Sequence, residues 1–318
     1  MSKESKGLVM LAIGGNSLIC EGMPVSVKSQ LQACEETCRH IAEIIKDGYQ
    51  VIVTHGNGPQ VGFILRRAEL AKNELHMVPL DSCVADTQGA IGFHIQLGMQ
   101  KAMLDWAEKP PVVTVVTQVL VDAADPSFAS PSKPIGSFMD EAEAKVHQER
   151  DGWDVVEDSG RGFRRVVASP LPRQILELDS IRSLLKSGAL VVAAGGGGIP
   201  VVYKDDGVLA GVEAVIDKDR ASSLLAKDLG AQTFVISTAV DKVHLNHGKP
   251  DQVELGRMTL AEAKQYLAEG HFAPGSMKPK IESVIEFLEG GGKVAYITTP
   301  DNLCSALRGE AGTKITAA

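Results

Sequence analysis

The stretch LVMLAIGGN at residues 8–16 joins six apolar residues to a glycine pair. A run this apolar is typical of a strand that is buried on both faces, as in a parallel sheet. Because glycine has no Cβ, the backbone amides of Gly14 and Gly15 can come close to a bound anion. We therefore predict a central strand that ends at a phosphate-binding turn.

Two more glycine clusters follow aliphatic runs further along the chain. They are GNG at residues 56–58 and GGGG at residues 195–198. None of the three clusters fits the P-loop or the dinucleotide-binding fingerprint, which require G-x-x-x-x-G-K-[ST] or G-x-G-x-x-G. A single glycine pair is usually an ordinary turn. Three clusters at strand ends favour one polyanion site at the edge of a sheet.

Apolar runs alternate with amphipathic segments along the whole chain. Strand-like runs continue at residues 51–54, 112–119, 190–194, 233–237 and 294–298, and helical segments lie at residues 27–46, 65–72, 90–107, 174–186, 221–229, 260–269 and 281–288. The alternation predicts an α/β fold, with three αβα layers around an open, mostly parallel sheet. A polar DDG turn at residues 205–207 predicts a β-hairpin over residues 201–209.

Residues 122–172 interrupt this rhythm. They are rich in Pro, Gly, Ser, Asp and Glu. A loop of this length without structure of its own is uncommon in a compact domain. We predict that the segment forms a small inserted lid or protruding subdomain within a single domain of residues 1–318.

Composition limits the class of protein. The chain has 318 residues, a net charge of −8 and five cysteines. The acidic balance argues against a nucleic-acid binder, which needs a basic footprint. No apolar run reaches the roughly 18 residues of a membrane helix, and the first residues lack the apolar core of a signal peptide. We therefore expect a cytoplasmic protein without a membrane partner, with neither a disulfide framework nor a cysteine–histidine metal site.

Three lysines occupy unusual settings. Lys133 lies in the proline-flanked stretch PSKPIG, Lys218 stands between Asp217 and Asp219, and Lys280 follows a proline at a predicted helix start. Most lysines are solvated surface residues, but phosphoryl transfer needs cations around an oxygen-rich transition state. The two aspartates can orient Lys218, cap the helix or approach Mg²⁺ through water, and the sequence leaves these roles open.

Seven ordered motifs resemble those of the carbamate kinases, which belong to the amino-acid kinase family. They are AIGGN (12–16), THGNGPQVG (54–62), KPIG (133–136), RRVV (164–167), GGGGIP (195–200), GVEAVIDKD (211–219) and GHFAPGSM (270–277). The resemblance implies the amino-acid kinase fold, a homodimer, and reversible phosphoryl transfer between ATP and carbamate. It also implies that the reaction runs toward ATP synthesis from carbamoyl phosphate and ADP in catabolism, as in arginine metabolism.

The same resemblance implies roles for individual residues. The residues expected to bind the carbamoyl and phosphoryl groups are Gly14, Gly15, Asn16, Gly56, Asn57 and Gly58. Those expected to surround the transferring phosphate are Lys133, Lys218 and Lys280, with Asp219 organising the lysines. The expected nucleotide site comprises Ser237, Thr238, Asp241, Ala273, Pro274, Gly275 and Met277. Mg²⁺ is expected to arrive with ATP or ADP, without a metal site of the protein's own.

The chemistry agrees with these residue types. Carbamate already carries a negative charge, so its attacking oxygen needs no general base, and we expect His55 and His271 to be structural donors. Two alternatives remain open. One is a kinase of the same fold that acts on another carboxylate, such as acetylglutamate, or on a nucleoside monophosphate, and the setting of Lys133 argues against it. The other is a non-catalytic sensor of nucleotide or carbamoyl phosphate, and the presence of all three lysines argues against that.

Overall fold

The structure, a computed structural model, describes residues 6–15, 26–158 and 160–318. The first part of the chain contains β1 (Leu8–Ile13), α1 (Val27–Lys46), β2 (Gln50–His55), α2 (Gln60–Ala71), α3 (Leu80–Ala102), β3 (Val112–Thr114), β4 (Gln118–Val121), β5 (Lys133–Met139), α4 (Glu141–Asp151), β6 (Asp154–Glu157) and β7 (Phe163–Val167). The second part contains β8 (Pro172–Ile175), α5 (Leu178–Lys186), β9 (Leu190–Val192), β10 (Ile199–Tyr203), β11 (Leu209–Gly211), α6 (Lys218–Leu229), β12 (Thr233–Ser237), β13 (Val243–Leu245), β14 (Val253–Leu255), β15 (Arg257–Thr259), α7 (Leu260–Ala268), α8 (Met277–Glu289), β16 (Val294–Thr298), α9 (Leu303–Leu307) and β17 (Thr313–Thr316).

Eight of these strands form the central sheet, in the order β15-β17-β16-β12-β1-β2-β9-β3. Neighbouring strands are parallel except for β16 and β17, which are antiparallel. Helices cover both faces of a parallel sheet and bury its strands. Residues 9–13 of β1 are accordingly at most 1% exposed. The predicted α/β fold with an open, mostly parallel sheet is confirmed.

Alternate residues of β1 divide between two hydrophobic cores. Met10 and Ala12 belong to a core that includes residues of α5, α6, α7 and α8. Val9, Leu11 and Ile13 belong to a second core, with residues of α1, α3 and α9. Because successive side chains of a strand point to opposite faces, these cores define three layers. In the part of the chain that the structure describes, no helix combines the length and apolarity needed to cross a membrane.

Several predicted elements are wrong in their extent. The helix predicted at residues 90–107 is α3, which runs from Leu80 to Ala102, and the helix predicted at residues 65–72 is α2, which begins at Gln60. The run at residues 112–119 is two strands, with β3 in the central sheet and β4 in a second sheet of order β11-β10-β4-β8. The predicted helix at residues 174–186 begins only at Leu178, because Gln174 pairs with Leu120 as part of β8. An apolar run indicates only that its residues are buried. Where a strand begins and ends depends on the strand it pairs with, which lies elsewhere in the sequence. The predicted hairpin is confirmed by the antiparallel pairing of β10 with β11.

Residues 122–172, called the insert below, carry a small sheet of their own. Strands β5, β7 and β6 pair antiparallel in that order, and α4 lies between β5 and β6 in sequence. The chain enters the insert from β4 and leaves it into β8, and these two strands also pair antiparallel. The two connections to the body, the remainder of the chain, are therefore adjacent.

Candidate active site

The three glycine clusters lie at one edge of the central sheet. Gly14 and Gly15 follow β1, residues 56–58 follow β2, and residues 195–198 follow β9. Strand β2 lies between β1 and β9 and is parallel to both, so the carboxyl ends of the three strands are adjacent. Asn16, which was also predicted to bind substrate, lies outside the described residues.

Two of these turns touch each other through their glycines. A Cβ on Gly56 would lie 2.8 Å from the amide nitrogen of Gly15, and a Cβ on Gly15 would lie 2.9 Å from the Cα of Gly58. Any side chain at either position would therefore push the turns apart. The result is a concavity lined by the backbone of residues 14–15 and 56–58, called the glycine cradle below. Concavities lined by backbone amides bind anions.

Helix α3 supports the cradle with two buried polar side chains. Thr87 Oγ1 donates to Asn57 Oδ1 at 2.8 Å. Gln88 Nε2 donates to the Gly195 carbonyl at 3.0 Å, and Gln88 Oε1 accepts from the Thr117 amide at 2.8 Å. Nothing in the sequence pointed to this pair, because helical periodicity does not reveal which distant turn a buried polar side chain reaches.

Two lysines share one buried carboxylate. Lys280 Nζ donates to Asp219 Oδ2 at 3.1 Å, and Lys218 Nζ donates to Asp219 Oδ1. Burial raises the pKa of Asp219, but the charges of Lys218 and Lys280 outweigh it and lower the pKa overall. Burial lowers the pKa of Lys218, and the Asp219 carboxylate opposes that shift. Mutual pairing thus holds the two ammonium groups in defined positions.

Asp217 joins the third lysine to the start of α6. Its carboxylate caps the helix by accepting from the Asp219 amide at 2.9 Å, and it accepts from Lys133 Nζ at 2.8 Å. Burial raises the pKa of Asp217, but Lys133 outweighs this effect and holds the pKa well below its usual range. The sequence left the roles of the two aspartates open. In the structure, Asp217 is the cap and the partner of Lys133, and Asp219 binds the other two lysines.

The glycine cradle and the lysines line the same cleft, which has a volume of about 260 Å³. Its lining includes Gly15, Gly56, Asn57, Gly58, Lys133, Gly136, Arg164, Asp217, Lys218, Asp219, Gly275 and Lys280. All four side chains predicted to be catalytic are therefore brought together, although they come from distant parts of the chain. Arg164 is an additional cation, which the sequence indicated only as part of the RRVV motif.

The predicted nucleotide residues lie in two segments of the body. Ser237 is the buried last residue of β12, the neighbour of β1. Asp241 accepts from Thr298 Oγ1 at 3.1 Å and from Asn302 Nδ2 at 2.7 Å, so its carboxylate is engaged within the fold. Gly275 lines the 260 Å³ cleft. The remaining predicted residues, all described, are near these positions in sequence and do not line the cleft: Thr238, Ala273, Pro274 and Met277.

The two histidines next to the motifs are held within the fold. His55 is buried, and its Nδ1 lies 3.0 Å from the Gly56 carbonyl. Burial, aided by the charge of Lys218, lowers the pKa of His55 from 6.5 to about 4, so the imidazole is neutral at physiological pH. His271 Nδ1 lies 2.9 Å from Asn246 Oδ1. These contacts fit the predicted structural roles.

A larger cavity, of about 910 Å³, separates α2 from α4 of the insert. Its walls carry cations and carboxylates from both parts of the molecule. On the insert side, the Trp153 ring stacks on His147 with centroids 4.0 Å apart, and the Arg165 guanidinium lies 4.9 Å from the Trp153 ring centroid. Two ion pairs link α2 and Lys72, the residue that follows it, to α4 at the walls of this cavity: Arg66 with Glu143 at 3.6 Å and Lys72 with Asp151 at 3.9 Å.

Comparison with known proteins gives a consistent result. The model of the amino acid kinase family matches residues 7–299. The chain is 49% identical to the carbamate kinase-like protein YahI of Escherichia coli, over 98% of this chain and 99% of that protein. It is 47% identical to the carbamate kinase of Clostridium perfringens, over 96% of this chain and 99% of that protein. Among solved structures, the carbamate kinase of Giardia lamblia bound to AMP-PNP matches with a TM-score of 0.91 at 39% identity, covering 99% of both chains.

Proposed function

The chain belongs to the amino acid kinase family, and we infer that it is a carbamate kinase, which transfers a phosphoryl group reversibly between ATP and carbamate. The observation that carries this inference is the similarity to carbamate kinases along nearly the whole chain. The cleft supports it chemically, because lysines and backbone amides line it together.

We propose that the glycine cradle binds the carbamoyl and phosphoryl groups of carbamoyl phosphate. Gly15, Gly56 and Gly58 line the cleft, with Asn57 between the last two. Backbone amides at such turns donate to phosphate oxygens, and they need little space to do so. Gly14 and Asn16 remain part of this proposal from the sequence.

In the direction of ATP synthesis, an oxygen of the ADP β-phosphate attacks the phosphorus of carbamoyl phosphate. The bond between phosphorus and the carbamoyl oxygen breaks, and its electron pair stays on carbamate, which leaves as an anion. Carbamate then takes up a proton from water and decomposes to ammonia and carbon dioxide. We propose that Lys133, Lys218 and Lys280 stabilise the charge on the transferring oxygens, while Asp219 holds two of the lysines in position. No proton transfer is needed at the attacking oxygen.

The nucleotide is proposed to lie along the end of β12 and the segment that leads into α8. Mg²⁺ enters as part of the nucleotide substrate, where it neutralises phosphate charge. Asp217 and Asp219 are already engaged by lysines. In residues 6–15, 26–158 and 160–318, no group of three or more His, Cys, Asp or Glu is arranged to hold a metal ion. We propose that the protein binds the phosphates that carry the metal.

The insert is proposed to act as a lid that closes over the cleft. It supplies Lys133, and the 910 Å³ cavity beside α2 leaves space for it to move. A homodimer, a cytoplasmic location and a physiological direction toward ATP synthesis are further proposals, made from family membership.

The test mixes the purified protein with Mg²⁺-ADP and one phosphoryl donor, and follows ATP. We expect ATP from carbamoyl phosphate and only background from acetylglutamyl phosphate, because the glycine cradle leaves little space for a larger acyl group. We also expect only background from acetyl phosphate, because its methyl group cannot donate the hydrogen bonds of the carbamoyl NH2. Comparable rates with acetylglutamyl phosphate would identify a related kinase instead. Nucleotide binding without ATP synthesis from any donor would favour a sensor.

A further inference from the structure

Arg164 is a cation of the insert whose side chain the proposed chemistry leaves without a role. It lies on β7, the central strand of the insert sheet, and lines the 260 Å³ cleft. Lys133, on the neighbouring strand β5, lines the same cleft. The insert therefore presents two cations to the cleft.

The guanidinium of Arg164 is held in place but is not fully paired. Its Nη1 donates to Asp158 Oδ2 at 3.1 Å, and the group lies 5.2 Å from the Phe138 ring centroid. Its Nε is buried from water and has no hydrogen-bond partner. An unpaired buried donor costs free energy, all the more on a charged group. A ligand in the cleft cannot reach this buried atom, but Nη2 makes no hydrogen bond within the described residues and is available for an acceptor that arrives with a ligand.

The charge of the cleft points to the kind of acceptor. The charged side chains that line it, among the described residues, are four cations and two carboxylates: Lys133, Arg164, Lys218, Lys280, Asp217 and Asp219. Their formal sum is +2, and it is +1 when Asp158, the ion-pair partner of Arg164, is included. Asp158, the partner of Arg164, does not line the cleft. A cleft with net positive charge suits a phosphate dianion, and a guanidinium is well shaped to bind two phosphate oxygens at once.

We propose that Arg164 binds the phosphate group of carbamoyl phosphate and is the residue through which the insert recognises the doubly charged substrate. Lys133 pairs with Asp217 of the body, so its charge is partly used within the protein. Arg164 pairs with Asp158, which lies outside the cleft, so no carboxylate that lines the cleft competes with a ligand for its guanidinium. This assignment rests on the proposed function for the identity of the ligand.

Arg161 provides a matched control for Arg164. Its Nη2 lies 3.5 Å from Asp158 Oδ1, and its guanidinium lies 4.7 Å from the Phe138 ring centroid, so it contacts the same two side chains. Unlike Arg164, it does not line the cleft. Arg161→Gln therefore reproduces the local loss of charge outside the cleft.

The experiment measures binding and turnover for Arg164→Gln, Arg164→Lys and Arg161→Gln. Binding is measured by calorimetry with the stable methylene phosphonate analogue of carbamoyl phosphate, and thermal unfolding confirms that each variant is folded. We expect Arg164→Gln to raise the Kd of the analogue and the KM for carbamoyl phosphate by about 10- to 100-fold, with the KM for ADP unchanged. Arg164→Lys keeps the charge without the planar guanidinium, and its values should fall between those of the wild type and Arg164→Gln. If Arg164→Gln does not fold, Arg164→Lys is compared with Arg161→Gln and should bind the analogue more weakly.

Two results separate this assignment from the proposed function. Equal affinity for the analogue in Arg164→Lys and Arg161→Gln, or in Arg164→Gln and Arg161→Gln, would overturn the role of Arg164 even if the wild type makes ATP. A wild type that binds the analogue through Arg164 and yet makes no ATP from carbamoyl phosphate would overturn the proposed function alone.

Discussion

The two sides of the cleft are built in different ways. On the body side, the cradle is backbone, and the side chains of Lys218 and Lys280 are 13% and 19% exposed and are held by the buried Asp219. On the insert side, the side chains of Lys133 and Arg164 are 33% and 22% exposed. Groups packed into a core have one position, whereas groups held by partly exposed contacts move at low cost in free energy. We therefore expect the body side to control the chemical step and the insert side to control substrate binding.

Near the cleft, the described residues join the two sides through an ion pair, a backbone contact between glycines, a backbone hydrogen bond and a small hydrophobic core. The Val215 amide donates to the Ala168 carbonyl at 2.9 Å, and Ile135 and Val167 of the insert pack with residues of α2 and α3. The ion pair is Lys133 with Asp217, at 2.8 Å. The backbone contact is between Gly62 of α2 and Gly136 of β5, where a Cβ on Gly62 would lie 2.7 Å from the Gly136 Cα. Variants at these contacts should therefore change mainly the KM for carbamoyl phosphate, whereas variants in the body should change mainly kcat.

The largest expected effect is on the body side. Replacing Lys218 or Lys280 with Ala should lower kcat by about 10²–10³, the usual cost of removing one preorganised electrostatic donor. Lys133→Ala should lower kcat less and also raise the KM for carbamoyl phosphate, because it weakens binding and closure together. Steady-state kinetics with carbamoyl phosphate and ADP measure both quantities.

The control for these lysines is Lys227→Ala, which removes an exposed lysine from α6, the helix that begins at Lys218. It should leave kcat and KM unchanged. Because Lys218→Ala leaves buried Asp219 with Lys280 as its remaining lysine partner, some loss of stability is expected, and unfolding must be followed in parallel. Near-normal turnover of a folded Lys218→Ala protein would contradict the lysine mechanism.

The next effect concerns the stability of the body side with pH. The pKa of His55 is 6.5 in its ordinary state and about 4 in the fold. Between these values the unfolded chain binds a proton that the folded protein does not, so stability falls as pH falls through this window, by up to about 3 kcal/mol. Urea unfolding at pH 7 and pH 4.5 should show a smaller loss for His55→Gln than for the wild type. Equal losses would mean that His55 is not held neutral.

A smaller effect is expected at the backbone joint. Gly62→Ala should displace β5 from α2 and raise the KM for carbamoyl phosphate by about 10-fold, because small misplacements of positioned groups are costly. Gly89→Ala is the matched control, since Gly89 is an exposed glycine within α3 and a Cβ there would meet nothing within 4 Å. If both variants had wild-type KM, close approach at Gly62 would not position the insert.

The smallest effect is a change in the dynamics of the insert. Hydrogen exchange should slow across residues 122–172 when nucleotide and the phosphonate analogue are both bound, because closure buries exposed amides. Strand β1 serves as the internal reference, since its residues are already buried. Unchanged exchange in the insert would mean that it is a fixed wall of the cleft. The two sides would then differ in the residues that line them and not in their mobility.

Local patterns account for what could be predicted. The apolar run of β1 and the glycines that follow it indicated a buried strand and an anion-binding turn, because both properties depend on neighbouring residues. The run at residues 112–119 was misread, because its two halves pair with β9 and β10, and strand pairing depends on the partner. Gln88 and Arg164 were not given roles for the same reason.

The sequence alone determined the α/β alternation, the glycine turns and, through the resemblance, the three lysines. Only the tertiary structure decided which groups meet. It brings Lys133 to Asp217 across 84 positions of sequence, and Lys280 to Asp219 across 61. Turn and strand preferences are properties of short stretches of chain, whereas these pairings form only when the sheet brings distant segments to one edge.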